Sequence, residues 1–161
     1  MPPQHQDGRP ADPDFSDANE PLYRRFAPED VTPGGDVIAA NLSDDFPGLS
    51  LNRGRYSVPL DVHHPECCAN EDLSGWGNAR WLVRDISTLI ELAGDSNRYQ
   101  TLIEHLPLAL CYAHSEIWSA LEGTRDRRDT KQIRRAFRAR LATLAQPVRM
   151  PNDNRDVNET A

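Results

Sequence analysis

The sequence has few cysteines and no long apolar run. Its longest mostly apolar stretch, residues 106–113, is interrupted by Pro107 and falls short of the roughly 18 residues that span a bilayer. Three cysteines are too few, and odd in number, for a disulfide framework. The first residues lack the basic start and apolar stretch of a secretory signal. These absences exclude a membrane-spanning helix and predict a cytoplasmic protein.

Catalytic sequence motifs are also missing. There is no Ser-x-Gly nucleophile elbow, no P-loop and no Gly-x-Gly-x-x-Gly dinucleotide fingerprint. The sequence therefore disfavours a serine hydrolase and a P-loop nucleotidase.

Charge is divided unevenly along the 161 residues. Lys131 is the only lysine among 18 basic residues, and an arginine-rich composition with many Ala, Pro and Asp residues is typical of a bacterial protein from a GC-rich genome. Residues 124–149 hold nine basic residues and two acids, a charge of +7, so the rest of a chain of net charge −7 carries −14. Such asymmetry indicates a binding surface or an intramolecular docking face.

The chain length fits one domain, with a tail at each end. Residues 1–20 contain four prolines and five acids and are predicted to be a disordered acidic tail. Residues 149–161 are predicted to be a flexible polar tail. Residues 21–148 are then a single α+β domain.

Within this domain, hydrophobic patterning predicts strands and one long helix. The helix covers residues 130–145, where Ile133, Phe137, Leu141 and Leu144 form one apolar stripe. Ser87 and Gly94 are placed to begin and close a short helix over 87–93, and a helical turn is predicted over 59–62. The predicted strands are 22–26, 49–52, 78–85, 101–106 and 113–121. We expect a small, mostly antiparallel sheet with a packed C-terminal amphipathic helix.

The arginine-rich helix and the residues before it are the first candidate site. Cations at helical spacing can bind the phosphates of nucleic acid or the carboxylates of an acidic protein. They can also neutralise the acidic remainder of the same chain. The candidate binding residues are Arg127, Arg128, Lys131, Arg134, Arg135 and Arg138. We expect a small bacterial accessory protein that binds an acidic protein partner or nucleic acid through this helix.

An enzyme is the alternative. Two histidines and a carboxylate could hold a metal or supply an acid and a base, in metal-assisted hydrolysis or nucleotide chemistry. Arg24, Tyr56 and Glu116 are similar to the Arg, Tyr and Glu site of ADP-ribosyl-transferring toxins. The candidate catalytic residues are Arg24, Tyr56, His105, His114 and Glu116. Their ordinary interpretation is that of polar positions paired with nearby arginines.

A zinc site is a further possibility. The pairs His64-x2-Cys67 and Cys111-x2-His114 share the two-residue gap of zinc-ligand pairs. Together they offer two thiolates and two imidazoles. The alternative is a polar loop with one cysteine turned inward.

Several short motifs resemble those of an uncharacterised small bacterial protein family. They are Leu-Tyr-Arg-Arg-Phe at 22–26, Arg-Tyr-Ser-x-Pro-x-Asp-Val within 52–62, Trp-Gly-x-Ala at 76–79, and His105-x-Pro107 through Glu116 with the basic helix that follows. The resemblance covers most of residues 22–145. It implies no established activity.

Overall fold

The computed structural model describes residues 7–34, 36–42, 49–58, 77–87, 89–128 and 130–148. Within these ranges the chain forms a seven-stranded antiparallel sheet with two α-helices, an α+β architecture. None of the helices in these ranges is long and apolar enough to cross a membrane. The strands are β1 (Pro21–Phe26), β2 (Leu49–Arg53), β3 (Gly77–Leu82), β4 (Leu89–Glu91), β5 (Arg98–His105), β6 (His114–Leu121) and β7 (Gln146–Val148), and the helices are α1 (Val83–Ile86) and α2 (Lys131–Leu144).

The strand order across the sheet is β4-β5-β6-β2-β1-β3-β7. Leu22 on β1 pairs with Arg53 on β2 and with Trp81 on β3. Because side chains of paired residues project from the same face of a sheet, these three share one face. Leu22 and Trp81 are fully buried there, so this is the core face. On β6 it includes Ile117, and the residues on either side of Ile117 project from the opposite face.

Helix α2 contributes its apolar stripe to the core. Ile133, Phe137 and Leu141 are buried and belong to the same apolar cluster as Leu22 and Trp81. The Trp81 indole Nε1 donates a hydrogen bond to the Leu141 carbonyl at 2.8 Å, which satisfies the polar atom of a buried ring. Burying each of these large side chains contributes about 1.5–3 kcal/mol.

Most of the predicted elements are confirmed. The strands predicted at 22–26, 49–52, 101–106 and 113–121 correspond to β1, β2, β5 and β6. The helix predicted over 130–145 is α2, and the Thr130 side chain caps it by accepting a hydrogen bond from the Ile133 amide at 3.3 Å. The helical turn predicted over 59–62 lies outside the described residues.

The prediction for the middle of the chain is wrong in two places. The strand predicted over 78–85 stops at Leu82, because Val83–Ile86 forms α1. The helix predicted over 87–93 does not form, since Leu89–Glu91 is strand β4, paired with β5. Ser87 closes α1 instead of beginning a helix, and its amide donates to the Val83 carbonyl at 3.1 Å. Pairing with β5 outweighs the local helix signals.

Residues 7–20, the described part of the predicted disordered tail, make specific contacts with the sheet. The Asp12 amide donates to Nδ1 of His105 at 2.7 Å, and the Tyr112 hydroxyl donates to the Pro10 carbonyl at 2.9 Å. The Val83 amide donates to the Glu20 carbonyl at 3.0 Å. The tail was predicted to be disordered because it has few apolar residues. Composition does not show which backbone groups pair with distant side chains.

Gly54, directly after β2, lies against the start of β1. Its amide donates to the Pro21 carbonyl at 2.7 Å. A Cβ atom at position 54 would lie 2.4 Å from Pro21 Cγ and 2.8 Å from Pro21 O. Because one of these atoms is backbone, the clash cannot be relieved by a side-chain rotation alone, and only glycine fits.

We expect Gly54→Ala to lower the free energy of unfolding by about 1–3 kcal/mol, the usual cost of forcing atoms into a packed site. Urea denaturation measures the change. Gly77→Ala is the matched control, because a Cβ there meets nothing within 4 Å, and its effect should stay within about 0.5 kcal/mol. Equal losses in the two variants would contradict the steric explanation.

Candidate functional site

His114 and Glu116 lie two residues apart on β6 and project from the face opposite the core. Both ring nitrogens of His114 have partners, with Nδ1 2.7 Å from the Leu106 carbonyl and Nε2 3.1 Å from the Ser50 hydroxyl. Since a carbonyl only accepts, Nδ1 carries a proton, and in the neutral ring Nε2 accepts from the Ser50 hydroxyl. Glu116 Oε2 lies 4.0 Å from Arg127. These contacts connect β6 to its neighbours.

The five candidate catalytic residues do not meet in one cleft. Tyr56 and His105 lie together, with their rings stacked at a centroid distance of 5.5 Å. The register of β5 and β6 places His105 on the core face, opposite His114 and Glu116. Arg24, on β1, donates to the backbone of β2 at 2.9 Å. The structure therefore brings Tyr56 and His105 together and separates them from His114 and Glu116.

Two of the four candidate zinc ligands, His64 and Cys67, lie outside the described residues. The Cys111 thiol donates to Oδ1 of Asn52 at 3.6 Å. A metal on Nε2 of His114 would displace the hydrogen bond from Ser50. Within the described ranges, no three His, Cys, Asp or Glu side chains are grouped as metal ligands. A zinc site stays a prediction that depends on the undescribed pair.

The candidate binding residues on α2 form a basic surface. Ile133, Phe137 and Leu141 turn inward, and the cations lie on the other sides of the helix. We name this set the α2 basic surface: Lys131, Arg134, Arg135, Arg138 and Arg140. All of them are exposed except Arg138, which is half-buried.

Arg127 and Arg128, the other two candidate binding residues, precede α2. The Arg127 guanidinium lies 4.0 Å from Glu116 and 4.9 Å from the Trp118 ring centroid, on the face of the sheet opposite the core. The Arg128 amide donates to the Ser119 carbonyl at 2.9 Å. Arg127 is therefore engaged within the chain and across the sheet from the apolar stripe of α2.

In the part of the chain that the structure describes, the most densely bonded cluster surrounds Arg53 at the end of β2. The sequence predicted Tyr56 and His105 as site residues but not Arg53 or Glu20, which lie at its centre. The Arg53 side chain is 0% exposed and pairs with Glu20, itself 3% exposed. Nε donates to Oε1 and Nη2 to Oε2, both at 2.8 Å. This two-bond geometry is the strong form of an arginine–carboxylate pair.

The rest of the Arg53 guanidinium binds the segment before β1. Nη1 donates to the Asp12 carbonyl at 2.9 Å, and Nη2 donates to the Asp14 carbonyl. The Phe15 ring covers the guanidinium at 3.9 Å, and the Tyr56 ring lies 5.4 Å away. These contacts supply acceptors and aromatic faces to a cation that would otherwise be costly to bury.

His105, 2% exposed, is held neutral in this cluster. Nε2 lies 2.6 Å from the Tyr112 carbonyl and must donate to it, so that Nδ1 accepts from the Asp12 amide. Burial lowers the pKa of His105 below its ordinary value, and the nearby Arg53 cation lowers this pKa further. The Tyr112 carbonyl and the carboxylates of Asp12 and Glu20 oppose the shift without reversing it.

The Asp12 carboxylate completes the cluster. It accepts from the Tyr56 hydroxyl at 2.5 Å and from Arg55 Nη1 at 3.0 Å, and it lies 3.3 Å from Arg53. The pKa of Asp12 is lowered to about 2, mainly by the hydrogen bond from Tyr56 and next by the hydrogen bond from the Asp14 amide. The bond between Tyr56 and Asp12 also raises the pKa of Tyr56. Asp12 is therefore ionised at neutral pH, and Tyr56 is the donor.

No protein-family model, curated protein or solved structure matches the sequence. The resemblance to an uncharacterised bacterial family accordingly stays a prediction.

We expect Arg53→Ala to destabilise the protein by about 3–5 kcal/mol, because it leaves the Glu20 carboxylate buried without its partner. Urea denaturation measures this loss. Arg98→Ala is the control, since Arg98 forms the same two-bond pair with Glu122 at 2.9 Å, but on the surface. An exposed pair contributes about 0–1 kcal/mol, so similar losses in the two variants would contradict the importance of burial.

Acidification should release residues 10–15 from His105. Protonated Nδ1 can no longer accept from the Asp12 amide, and the lowered pKa of His105 means that unfolded chains bind the proton first. This contribution to stability is present above the ordinary histidine pKa of about 6.5 and is lost as the pH falls below it. Hydrogen exchange at the Asp12 amide, corrected for its intrinsic pH dependence, should show decreasing protection from pH 7 to 5. Constant protection would contradict the assigned proton positions.

Proposed function

We propose that this chain is a cytoplasmic bacterial accessory protein that binds an acidic protein partner through the α2 basic surface. The observation that supports this most directly is the composition of the helix. Its 14 residues include five cations and no acid, and its apolar stripe is already buried in the core. The surface therefore contributes charge and little apolar area.

The charges on α2 oppose the stability of their own helix. Lys131 and Arg135 are four residues apart, as are Arg134 and Arg138, and each like-charged pair at this spacing costs about 0.2–0.5 kcal/mol. The first turn carries no acid, although negative charge is what the N-terminal end of a helix dipole favours. A surface shaped only by helix stability would carry carboxylates here.

Neutralisation within the chain explains only part of this charge. In the described part of the chain, Lys131, Arg135 and Arg138 have no ion pair. Two acids on or next to β6 pair with other arginines, Glu116 with Arg127 and Glu122 with Arg98. Three cations are thus available to an external partner.

A protein partner fits these charges better than nucleic acid does. The whole chain carries −7, which repels an acidic protein and nucleic acid alike at long range, and the repulsion is stronger for nucleic acid because its phosphate charge is denser. The basic surface follows one helix of about 21 Å, at 1.5 Å per residue, which suits a short acidic segment. Arginine forks also form paired hydrogen bonds with carboxylates.

The enzymatic alternative has less support. Its five candidate residues lie on two faces of the sheet. The rings of His105 and His114 each have both nitrogens bonded within the chain, so neither offers a nitrogen for proton transfer without a rearrangement.

The proposal predicts that Lys131→Gln/Arg135→Gln/Arg138→Gln binds a fluorescent oligoglutamate peptide at least tenfold more weakly than the wild type does. Anisotropy titration at several salt concentrations measures this. The free energy of unfolding should stay constant or rise by a few tenths of a kcal/mol, because like charges are removed. Unchanged affinity for oligoglutamate would refute the proposal.

The control is Arg80→Gln/Arg84→Gln/Arg98→Gln, which removes the same charge from exposed positions outside α2. It should bind oligoglutamate as the wild type does. A duplex DNA of similar charge is the second probe. If the wild type binds DNA more tightly than oligoglutamate, and the α2 variant loses this DNA binding, the partner is nucleic acid and not an acidic protein.

A further inference from the structure

The cluster around Arg53 recognises one aspartate through each of its polar groups. His105 accepts from the Asp12 amide at 2.7 Å, and Arg53 donates to the Asp12 carbonyl at 2.9 Å. Tyr56 and Arg55 donate to its carboxylate at 2.5 and 3.0 Å. No other residue from position 10 to position 15 has its amide, carbonyl and side chain all bound by residues outside this segment.

Much of this recognition is anchored without residues 10–15. Arg53 is fixed by its two-bond pair with Glu20, which leaves the other guanidinium hydrogens directed at the carbonyls of residues 12 and 14. His105 is fixed by the Tyr112 carbonyl at 2.6 Å, which leaves Nδ1 as an acceptor. The Tyr112 ring lies edge-on to both His105 and Tyr56 at 4.8 Å. The donors and acceptors are therefore set by the body of the protein.

The segment itself is extended and only lightly buried. From residue 10 to residue 15 only Asp12 and Phe15 are half-buried, and the others are exposed. Pro13 restricts the backbone and favours an extended residue before it, so that the carbonyls of residues 12 and 14 both reach Arg53. A segment held by few polar contacts opens locally at a lower free-energy cost than global unfolding.

We propose that Arg53, Arg55, Tyr56, His105 and Tyr112 form a binding pocket for an extended acidic peptide with an Asp-Pro-x-aromatic pattern. Residues 12–15, Asp-Pro-Asp-Phe, occupy it in cis, and a matching segment of a partner protein displaces them. The pattern follows from the contacts: aspartate for Tyr56 and Arg55, proline for the extended backbone, and an aromatic ring over the guanidinium at 3.9 Å.

Occupation in cis makes the pocket self-inhibited. A tethered segment competes at an effective concentration in the millimolar range, so a partner segment must bind more tightly or meet a chain whose own segment has been weakened. The pocket lies on a different part of the fold from the α2 basic surface, and this inference does not depend on the proposed function.

The probe is a fluorescent synthetic peptide of residues 8–17, titrated into the full chain and followed by anisotropy. Asp12→Ala weakens the cis segment and leaves the pocket unchanged, and we expect it to bind the peptide at least tenfold more tightly than the wild type does. Asp14→Ala is the matched control. The Asp14 carboxylate is exposed, and its contacts are the Ser16 amide at 2.9 Å, within the segment, and Arg55 at 3.5 Å, so this variant should bind as the wild type does.

Two further titrations test where and how the peptide binds. In the Asp12→Ala chain, adding Tyr56→Phe should weaken binding at least tenfold, as should replacing the residue-12 aspartate of the peptide by Asn. Urea denaturation of the chain variants checks that they fold. No gain in Asp12→Ala over Asp14→Ala, or equal binding of the Asn peptide, would overturn the proposal.

A last pair of measurements separates this pocket from other sites. Peptide binding lost on removal of the α2 charges would place the peptide on α2, which overturns the pocket and leaves the proposed function intact. If the wild type forms concentration-dependent dimers that disappear in Asp12→Ala, the pocket binds a second copy of the chain. This result would refute a partner protein as its occupant. A monomeric wild type with peptide binding independent of α2 is the expected result.

Discussion

The buried guanidinium of Arg53 determines how the chain before β1 is held against the sheet. A cation removed from water is tolerated only where its donors find acceptors, and Glu20 supplies just half of them. The remaining acceptors are backbone carbonyls of residues 12 and 14. The chain before β1 is thereby drawn into the structure, next to the point where Pro21 and Gly54 continue the register of β1 and β2.

Different forces hold the two sides of this fold. Helix α2 is attached by apolar burial around Phe137 and Leu141 and by one indole hydrogen bond. The N-terminal segment is attached by charge-assisted and backbone hydrogen bonds, with Phe15 as its main apolar contribution. Apolar burial responds weakly to pH, whereas polar contacts depend on protonation and are exchangeable. The attachment of α2 is therefore expected to persist at a pH that weakens the attachment of the N-terminal segment.

Local patterns in the sequence predicted the elements that depend on local interactions. The stripe through Ile133, Phe137 and Leu141 and the cap at Thr130 were enough for α2. Strand β4 escaped prediction because its pairing partner is β5, whereas Ser87 and Gly94 are ordinary helix signals. The pair of Arg53 and Glu20 spans 33 positions, and no spacing rule connects an arginine at a strand end to a glutamate in an acidic segment. The positions of His105 and His114 on opposite faces required the register of β5 and β6.

The two edges of the sheet have a consequence for association. Its outermost strands, β4 and β7, are three residues each, and β7 contains Pro147, which has no amide to offer a neighbouring strand. Short edges and edge prolines prevent sheets from joining side by side. In the described part of the chain both edges are therefore poor templates for further strands, and we do not expect the native state to seed fibrils at high concentration.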